Sequence, residues 1–244
     1  MIELREVSFF YEKQNPLFDH FSFSVERGES LAVLGPSGCG KTTFLYLVSG
    51  LLKPQEGEIR VEGQELLGPR EKTALILQDY GLLPWKTIKE NVELGLKFRK
   101  ISKDSLPDYW LKRLGIYEVK DKYPHQVSGG QKQRAAIARS LVLKPDIILM
   151  DEPFSSLDAP TRESLQDLIV DLHRHEHLTV ILVTHTIEEA AYVGERILVL
   201  LDPPHRKPFV IRKDGRPLQR NEDAFISLCT ELRHHIERLW NRGA

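Results

Sequence analysis

The sequence predicts an α/β fold: a mostly parallel sheet with helices on both faces and a helical block inserted into it. Two observations carry this expectation. Short apolar, β-branched runs alternate with helical stretches on either side of a long middle segment, and that segment, from about Leu82 to Leu143, is helical in pattern throughout. Strand–helix alternation implies parallel strands, because each crossover helix must pack back on a face of the sheet.

The elements follow in order. Ile2 to Phe10 and Phe21 to Val25 read as strands, and Ser30 to Leu34 as an apolar strand. Gly-Pro-Ser-Gly-Cys-Gly follows at once, then a helical stretch to Val48, with strands at Glu58 to Val61 and Ala74 to Gln78. In the helical block, Thr87 with Glu90 three residues later reads as a capping box. Asp108 to Leu114 is a second short helix, and Ser128 opens a third through Ala135, Ala136, Ile137 and Ala138. After Pro145 the alternation resumes: strand Ile147 to Met150, helix Arg162 to His173, strand Thr179 to Thr184, helix Ile187 to Val193, strand Arg196 to Leu201. Pro203, Pro204 and Pro208 mark a break. Phe225, Leu228, Leu232, Ile236 and Leu239 then recur at three- and four-residue spacing, an amphipathic helix that packs on its own domain, the commoner case, or meets a partner. The expected organisation is one domain: a core of residues 1–81 and 144–201, a helical subdomain 82–143 and a tail 202–244 of a C-terminal strand and the amphipathic helix.

Composition narrows the function. Lys and Arg number 34 against 35 Asp and Glu, a net charge of −1, and no run of five like charges occurs. That balance argues against a nucleic-acid coat, which needs a basic face. Met1 to Tyr11 carries Glu3, Arg5 and Glu6, so it does not read as a signal peptide. Apolar runs such as Ile197 to Leu201 fall far short of the ~18 residues that span a bilayer. The expectation is a soluble, cytosolic chain whose membrane contact comes through a partner. Two cysteines, Cys39 and Cys229, suit a reducing compartment.

Three motifs carry chemistry. Gly35-Pro36-Ser37-Gly38-Cys39-Gly40-Lys41-Thr42 fits G-x-x-x-x-G-K-[ST] between a strand and a helix. Its glycines let backbone N–H groups turn inward around phosphate oxygens, and the helix N-terminus adds its dipole. Lys41 would reach the β- and γ-phosphates, and the Thr42 hydroxyl would ligate Mg²⁺. Ile147 to Met150 ends in Asp151 and Glu152: one carboxylate for the metal, the next for the attacking water. Ser128-Gly129-Gly130-Gln131 opens a helix with a hydroxyl and no obstructing side chain, a second anion site or an ordinary capped start.

These motifs in this order, with Gln78 at a strand end and His185 after a strand, resemble the ATP-binding cassette (ABC) ATPase family over essentially all of residues 1 to 201. The resemblance implies a P-loop NTPase core with an N-terminal antiparallel β subdomain. It implies ATP and Mg²⁺, with Thr43 beside Thr42 in the phosphate turn and Tyr11 stacked on adenine, Phe10 being the alternative. Gln78 would touch Mg²⁺ and water, His185 the γ-phosphate. Asp158, in Ser156-Leu157-Asp158, would cross a dimer interface, although it also suits a helix N-cap ahead of Pro160. Ser128 and Gly130 would close over ATP held by a second copy, making the unit a head-to-tail homodimer. Cys39, beside Lys41 at a helix start, is expected to have a lowered pKa and to label with maleimide unless MgATP protects it. His173-Arg174-His175-Glu176-His177 invites a zinc reading, but only His173 and His177 share a helix face and no Cys accompanies them.

Leu82, Leu83, Pro84 and Trp85 place four apolar residues at a loop, either a local core or an exposed docking surface. With Glu90-Asn91-Val92 after it, the stretch resembles the nitrate/sulfonate/taurine branch of importer ATPases. That implies a peripheral subunit on the cytoplasmic face of the membrane, docked to an integral permease near those four residues and served indirectly by a solute-binding protein. The rival readings are an exporter motor and a ribosome or DNA machine.

Overall fold

The structure is a computed structural model describing residues 1–12, 15–101, 105–213 and 219–240, with side chains to residue 238. Strands β1 (Ile2–Glu12), β2 (Asn15–Val25) and β3 (Ser30–Leu34) lead into helix α1 (Lys41–Ser49). Strands β4 (Glu56–Val61), β5 (Gln64–Glu65) and β6 (Thr73–Ile76) follow. The helical block comprises α2 (Ile88–Val92), α3 (Leu94–Phe98), α4 (Leu106–Arg113) and α5 (Gly129–Leu141). Then come β7 (Ile147–Asp151), α6 (Ala159–Glu176), β8 (Thr179–Thr184), α7 (Ile187–Val193), β9 (Arg196–Val199), β10 (Phe209–Arg212) and α8 (Asp223–Trp240).

Two sheets form. The first, in order β2-β1-β4-β5, is antiparallel. The second has the order β10-β9-β3-β8-β7-β6, and its five inner and far strands are parallel. Strands β3, β7 and β8 are buried along their whole length, which is why they read as unbroken apolar runs. The α/β fold expected from alternation is therefore present.

Details depart from the sequence reading for physical reasons. The strand expected in the tail is β10, whose bounds the sequence reading left open: its four residues follow a proline-rich stretch and pair antiparallel with β9, Phe209 opposite Val199. β6 ends at Ile76, so Leu77 and Gln78 leave the sheet rather than extend it. The capping box at Thr87 is present: Thr87 N–H donates to Glu90 Oε2 at 2.8 Å and Glu90 N–H to Thr87 Oγ1 at 3.2 Å.

The tail helix packs on its own domain. Phe225, Cys229 and Leu232 are buried against Ala190 and Ala191 of α7 and Ile197 and Val199 of β9, with Leu228 and Ile236 partly buried beside them. The side chain of Leu239 lies outside the described residues. Among the described residues no helix is long and apolar enough to cross a membrane.

Candidate nucleotide-binding site

The glycine-rich turn sits at the end of buried β3. A Cβ built on Gly35 would lie 2.0 Å from the Leu200 carbonyl oxygen, so the turn begins where two backbones touch and only glycine fits. Gly38 and Gly40 hold φ of +83° and +103°, and Gly40 starts α1 by accepting the Phe44 N–H at 2.8 Å. Lys41 is only 5% exposed; its Nζ donates to the Gly35 and Pro36 carbonyls at 2.9 and 2.7 Å.

An open cleft of about 360 Å³ lies against this turn. Ser37, Gly38, Gly40, Lys41, Thr42 and Thr43 form its floor, and Tyr11, Leu17 and Glu152 its sides. Tyr11 is 68% exposed, with its hydroxyl 3.0 Å from Thr43 Oγ1 and its ring meeting Phe9 edge-on at 5.0 Å. That contact props a free aromatic face over the cleft, which Phe10 does not line: Phe10 spends its backbone N–H and carbonyl on the Gln55 side chain.

Oxygen donors gather at the far end. Thr42 Oγ1 donates to Asp151 Oδ1 at 3.2 Å. Burial pushes the Asp151 carboxyl pKa up, the Thr42 hydrogen bond opposes this, and the neighbouring Glu152 charge adds to it. A buried carboxylate with a hydroxyl beside it and a second carboxylate adjacent is a donor set that fits a hard, oxygen-seeking dication. Glu152 takes φ +45°, and its N–H donates to the Val183 carbonyl at 3.0 Å. Its Oε2 stands 3.3 Å from His185 Nδ1. Gln78 is exposed and donates Nε2 to Ser155 Oγ at 3.3 Å, while Ser155 Oγ donates to the Glu152 carbonyl at 3.1 Å. Gln78, Glu152 and His185 thus converge on one side of the turn.

Ser128 to Gln131 stand apart from this cleft, as does Asp158. Ser128 and Gln131 close a capping box on α5, at 3.3 and 3.0 Å. A Cβ on Gly130 would meet Thr161 Cγ2 at 2.4 Å, so that glycine lets α5 approach α6. Asp158 caps α6 by accepting the Thr161 N–H at 3.0 Å and hydroxyl at 3.1 Å; those bonds hold its carboxyl below the usual range. Tyr80, which the motif reading passed over, brings its hydroxyl 2.5 Å from Ser156 Oγ and joins the Gln78 turn to the segment before α6.

The expectation for Cys39 is corrected. The thiol is 3% exposed and packs in the core beneath the turn. Burial raises its pKa more than Lys41 lowers it, so it is not an activated thiolate. His173 turns its Nδ1 to the Leu178 carbonyl at 2.8 Å, and His177 is the left-handed residue ending α6.

The docking loop is also revised. Trp85 is 70% exposed and Pro84 is exposed, but Leu82 packs on the helical core. Leu83 donates its N–H to Asn91 Oδ1 at 2.7 Å, and buried Asn91 returns bonds to the carbonyls of Leu83, Lys86 and Thr87. Asn91 therefore folds the loop onto α2 and turns out Trp85. A separate groove of about 300 Å³ runs between β6 and the helices, where Phe98 is widely exposed beside Leu94 and Leu143.

A family match now bears on this geometry: the ABC transporter family matches residues 18–155. The chain belongs to the ABC transporter family. Relatives span three quarters or more of this ABC ATPase. An aliphatic sulfonates import ATP-binding protein, SsuB, of Bacillus cereus is 36% identical over 241 residues, 97% of this chain and 96% of its own. A taurine import ATP-binding protein, TauB, of Roseobacter denitrificans is 43% identical over 188 residues, 76% of this chain and 70% of its own. A dimeric post-hydrolysis structure of the ATP-binding cassette MJ0796 bound to ADP and Pi superposes with a TM-score of 0.76 at 30% identity, covering 88% of this chain and all of that one. The chain is accordingly an ATP-binding, ATP-hydrolysing cassette with the P-loop NTPase fold. Sequence reasoning missed Leu17, Tyr80 and Ser155, which carry no motif; their places come from β2, a turn and a loop meeting in space.

Proposed function

We propose that this ABC ATPase is the motor subunit of an importer for small organic sulfonates of the taurine class. The observation that carries the proposal is the 36–43% identity with sulfonate and taurine import ATP-binding proteins, over 97% and 76% of this chain respectively. The helical insert, residues 82–143, serves the permease, and residues 1–81 and 144–201 do the chemistry. The assembly works at the cytoplasmic face of the membrane, supplied by a solute-binding protein, with no nucleic acid among its partners.

The roles follow from the cleft. Gly35, Pro36, Ser37, Gly38, Cys39 and Gly40 wrap the ATP phosphates with backbone N–H groups, which cost no reorganisation. Lys41 already has its ammonium at the turn; moving from neutral carbonyls to phosphate oxygens exchanges weak acceptors for charged ones. Thr43 anchors the Tyr11 hydroxyl, so that the Tyr11 ring takes the adenine face. Thr42, Asp151 and Gln78 hold Mg²⁺, which neutralises phosphate charge when bound. Glu152 accepts a proton from the water that attacks the γ-phosphorus, and ADP leaves as inorganic phosphate forms. His185 orients the Glu152 carboxylate and faces the γ-phosphate.

Ser128, Gly129, Gly130 and Gln131 stand away from the cleft of their own chain, and a head-to-tail homodimer gives them a use, closing over the partner's ATP with Asp158 crossing between copies. Trp85, with Pro84, seats the permease, and Leu82 and Leu83 hold the loop from behind. The test is reconstitution with a sulfonate permease and its binding protein: taurine-loaded binding protein should stimulate ATP turnover, and Lys41→Ala should abolish it. Stimulation by an unrelated solute system and not by this one would reject the sulfonate assignment, and stimulation by no permease and binding protein would reject the importer assignment.

A further inference from the structure

A buried histidine lies against the outer side of the phosphate-binding turn, in the tail segment after β9. His205 is 8% exposed, and its Nε2 stands 2.7 Å from the Cys39 carbonyl oxygen, so the ring nitrogen donates and the carbonyl accepts. Its ring packs on Phe18 at 5.3 Å between centroids. Its backbone is held as firmly: His205 N–H donates to the Leu17 carbonyl at 2.9 Å, and Asp19 N–H donates to the His205 carbonyl at 3.0 Å. Next to it, Arg206 pairs with Asp19 at 2.6 Å. Leu17 in turn sits beneath Gly40, where an added Cβ would meet it at 2.9 Å. The segment is therefore stitched to β2 on one side and to the turn on the other.

The bond has a directional consequence. A trans peptide is planar, so its carbonyl and its N–H point opposite ways. With the Cys39 carbonyl held outward on His205, the Gly40 N–H of the same peptide points the other way, and Gly40 lines the cleft. Gly40 at φ +103° has no side chain to hold that peptide plane by itself.

We propose that His205 is a positioning residue for the phosphate-binding turn, aiming the Gly40 N–H into the cleft by anchoring the Cys39 carbonyl. This rests on the assignment of that turn to ATP phosphates. Burial lowers the His205 pKa, so the ring is neutral near pH 7 with its one proton on Nε2.

The protein carries its own reporters, since its two cysteines are both buried: Cys39 under the turn and Cys229 in the tail helix. His205→Leu removes the donor, whereas His205→Gln places an amide nitrogen near the Nε2 position. In His205→Leu, maleimide labelling of Cys39 should rise about tenfold while that of Cys229 stays unchanged, because one local anchor is lost rather than the fold. MgATP affinity should weaken about five- to thirtyfold, the effect of one buried hydrogen bond, with KM rising far more than kcat falls. His205→Gln should restore both readouts. If His205→Leu fails to fold, His205→Asn, whose amide reaches only the Nδ1 position, gives the same comparison. Unchanged Cys39 labelling and affinity would overturn the proposal, as would equal exposure of both cysteines or no rescue by glutamine. Lys41→Ala separates the two readings: if it leaves MgATP affinity intact, the phosphate assignment itself is wrong. If Lys41→Ala abolishes affinity while His205→Leu does not alter it, only the His205 role fails.

Discussion

Glu152 and His185 meet at 3.3 Å, Oε2 to Nδ1, each one residue beyond the end of a neighbouring parallel strand, β7 and β8. Register brings them near: Asp151 pairs with Val183, the Glu152 N–H holds the Val183 carbonyl, and both strands leave the sheet at the same end. A carboxylate held by an imidazole beside the phosphate turn is the arrangement a water-activating base needs.

Replacing Glu152 by Gln should lower ATP turnover by about 100-fold or more while leaving MgATP binding intact. The variant should accumulate as an ATP-bound dimer in size-exclusion chromatography. A monomer at saturating MgATP would contradict the paired-site mechanism.

Gly130→Ala should destabilise the fold by about 1–3 kcal/mol, since its Cβ would overlap the stiff Thr161 side chain at 2.4 Å. Thr161→Ser removes that methyl and keeps the hydroxyl on Asp158, so the double variant should regain its denaturation midpoint. Turnover is read alongside: a value that stays low at a restored midpoint would place the Gly130 backbone against the partner's nucleotide as well. Recovery of both would assign Gly130 to packing alone.

Lys213 donates its ammonium to the Ala191 carbonyl at 2.8 Å and the Tyr192 carbonyl at 3.3 Å, and burial pulls its pKa down to about 8. The unfolded chain keeps the higher lysine value, so between these pKa values it binds more protons than the folded chain. Stability should therefore rise with pH through that window, and the cost of burying the charge is fully felt below it. Relative to wild type, Lys213→Met should lose about 1–3 kcal/mol on going from pH 7 to pH 10, read from urea midpoints. A pH-independent difference would show that the ammonium is not strained by burial.

Trp85→Ala should leave the melting temperature nearly unchanged, within about 0.5 kcal/mol, because the ring is 70% exposed. The same change should release the subunit from permease-containing membranes in a flotation assay. Retention at the wild-type level would move the docking surface to the groove beside Phe98.

Leu232 is fully buried between α8 and the sheet, and Leu232→Ala should cost about 2–5 kcal/mol by calorimetry or denaturation. A loss near zero would mean that the tail contributes nothing to the core.

Much was legible in the order of residues because the signals are local. Ser30 to Leu34 is apolar at every position and proved a strand buried on both faces; Thr87 with Glu90 capped a helix as their spacing required. The phosphate turn was visible because glycines, a lysine and a hydroxyl must stand at fixed intervals to surround an anion. Where a reading failed, the deciding contact came from far along the chain. Cys39 looked like an activated thiol beside Lys41, yet its burial under the turn sets its pKa. Leu82 was grouped with Trp85 as a docking residue, yet it packs on a helical core drawn from segments as distant as β8 and α7.

The sequence by itself determined the strand–helix alternation, the phosphate turn, the paired carboxylates and the capped helix starts, because each depends on neighbours within a few positions. Tertiary structure alone decided that β10 pairs with β9, that α8 covers α7 and β9, that the Cys39 thiol is buried, and that His205 anchors Cys39 from 166 residues away. Those outcomes turn on desolvation and on hydrogen bonds between distant segments, and neither has a period or a spacing that a linear reading can detect.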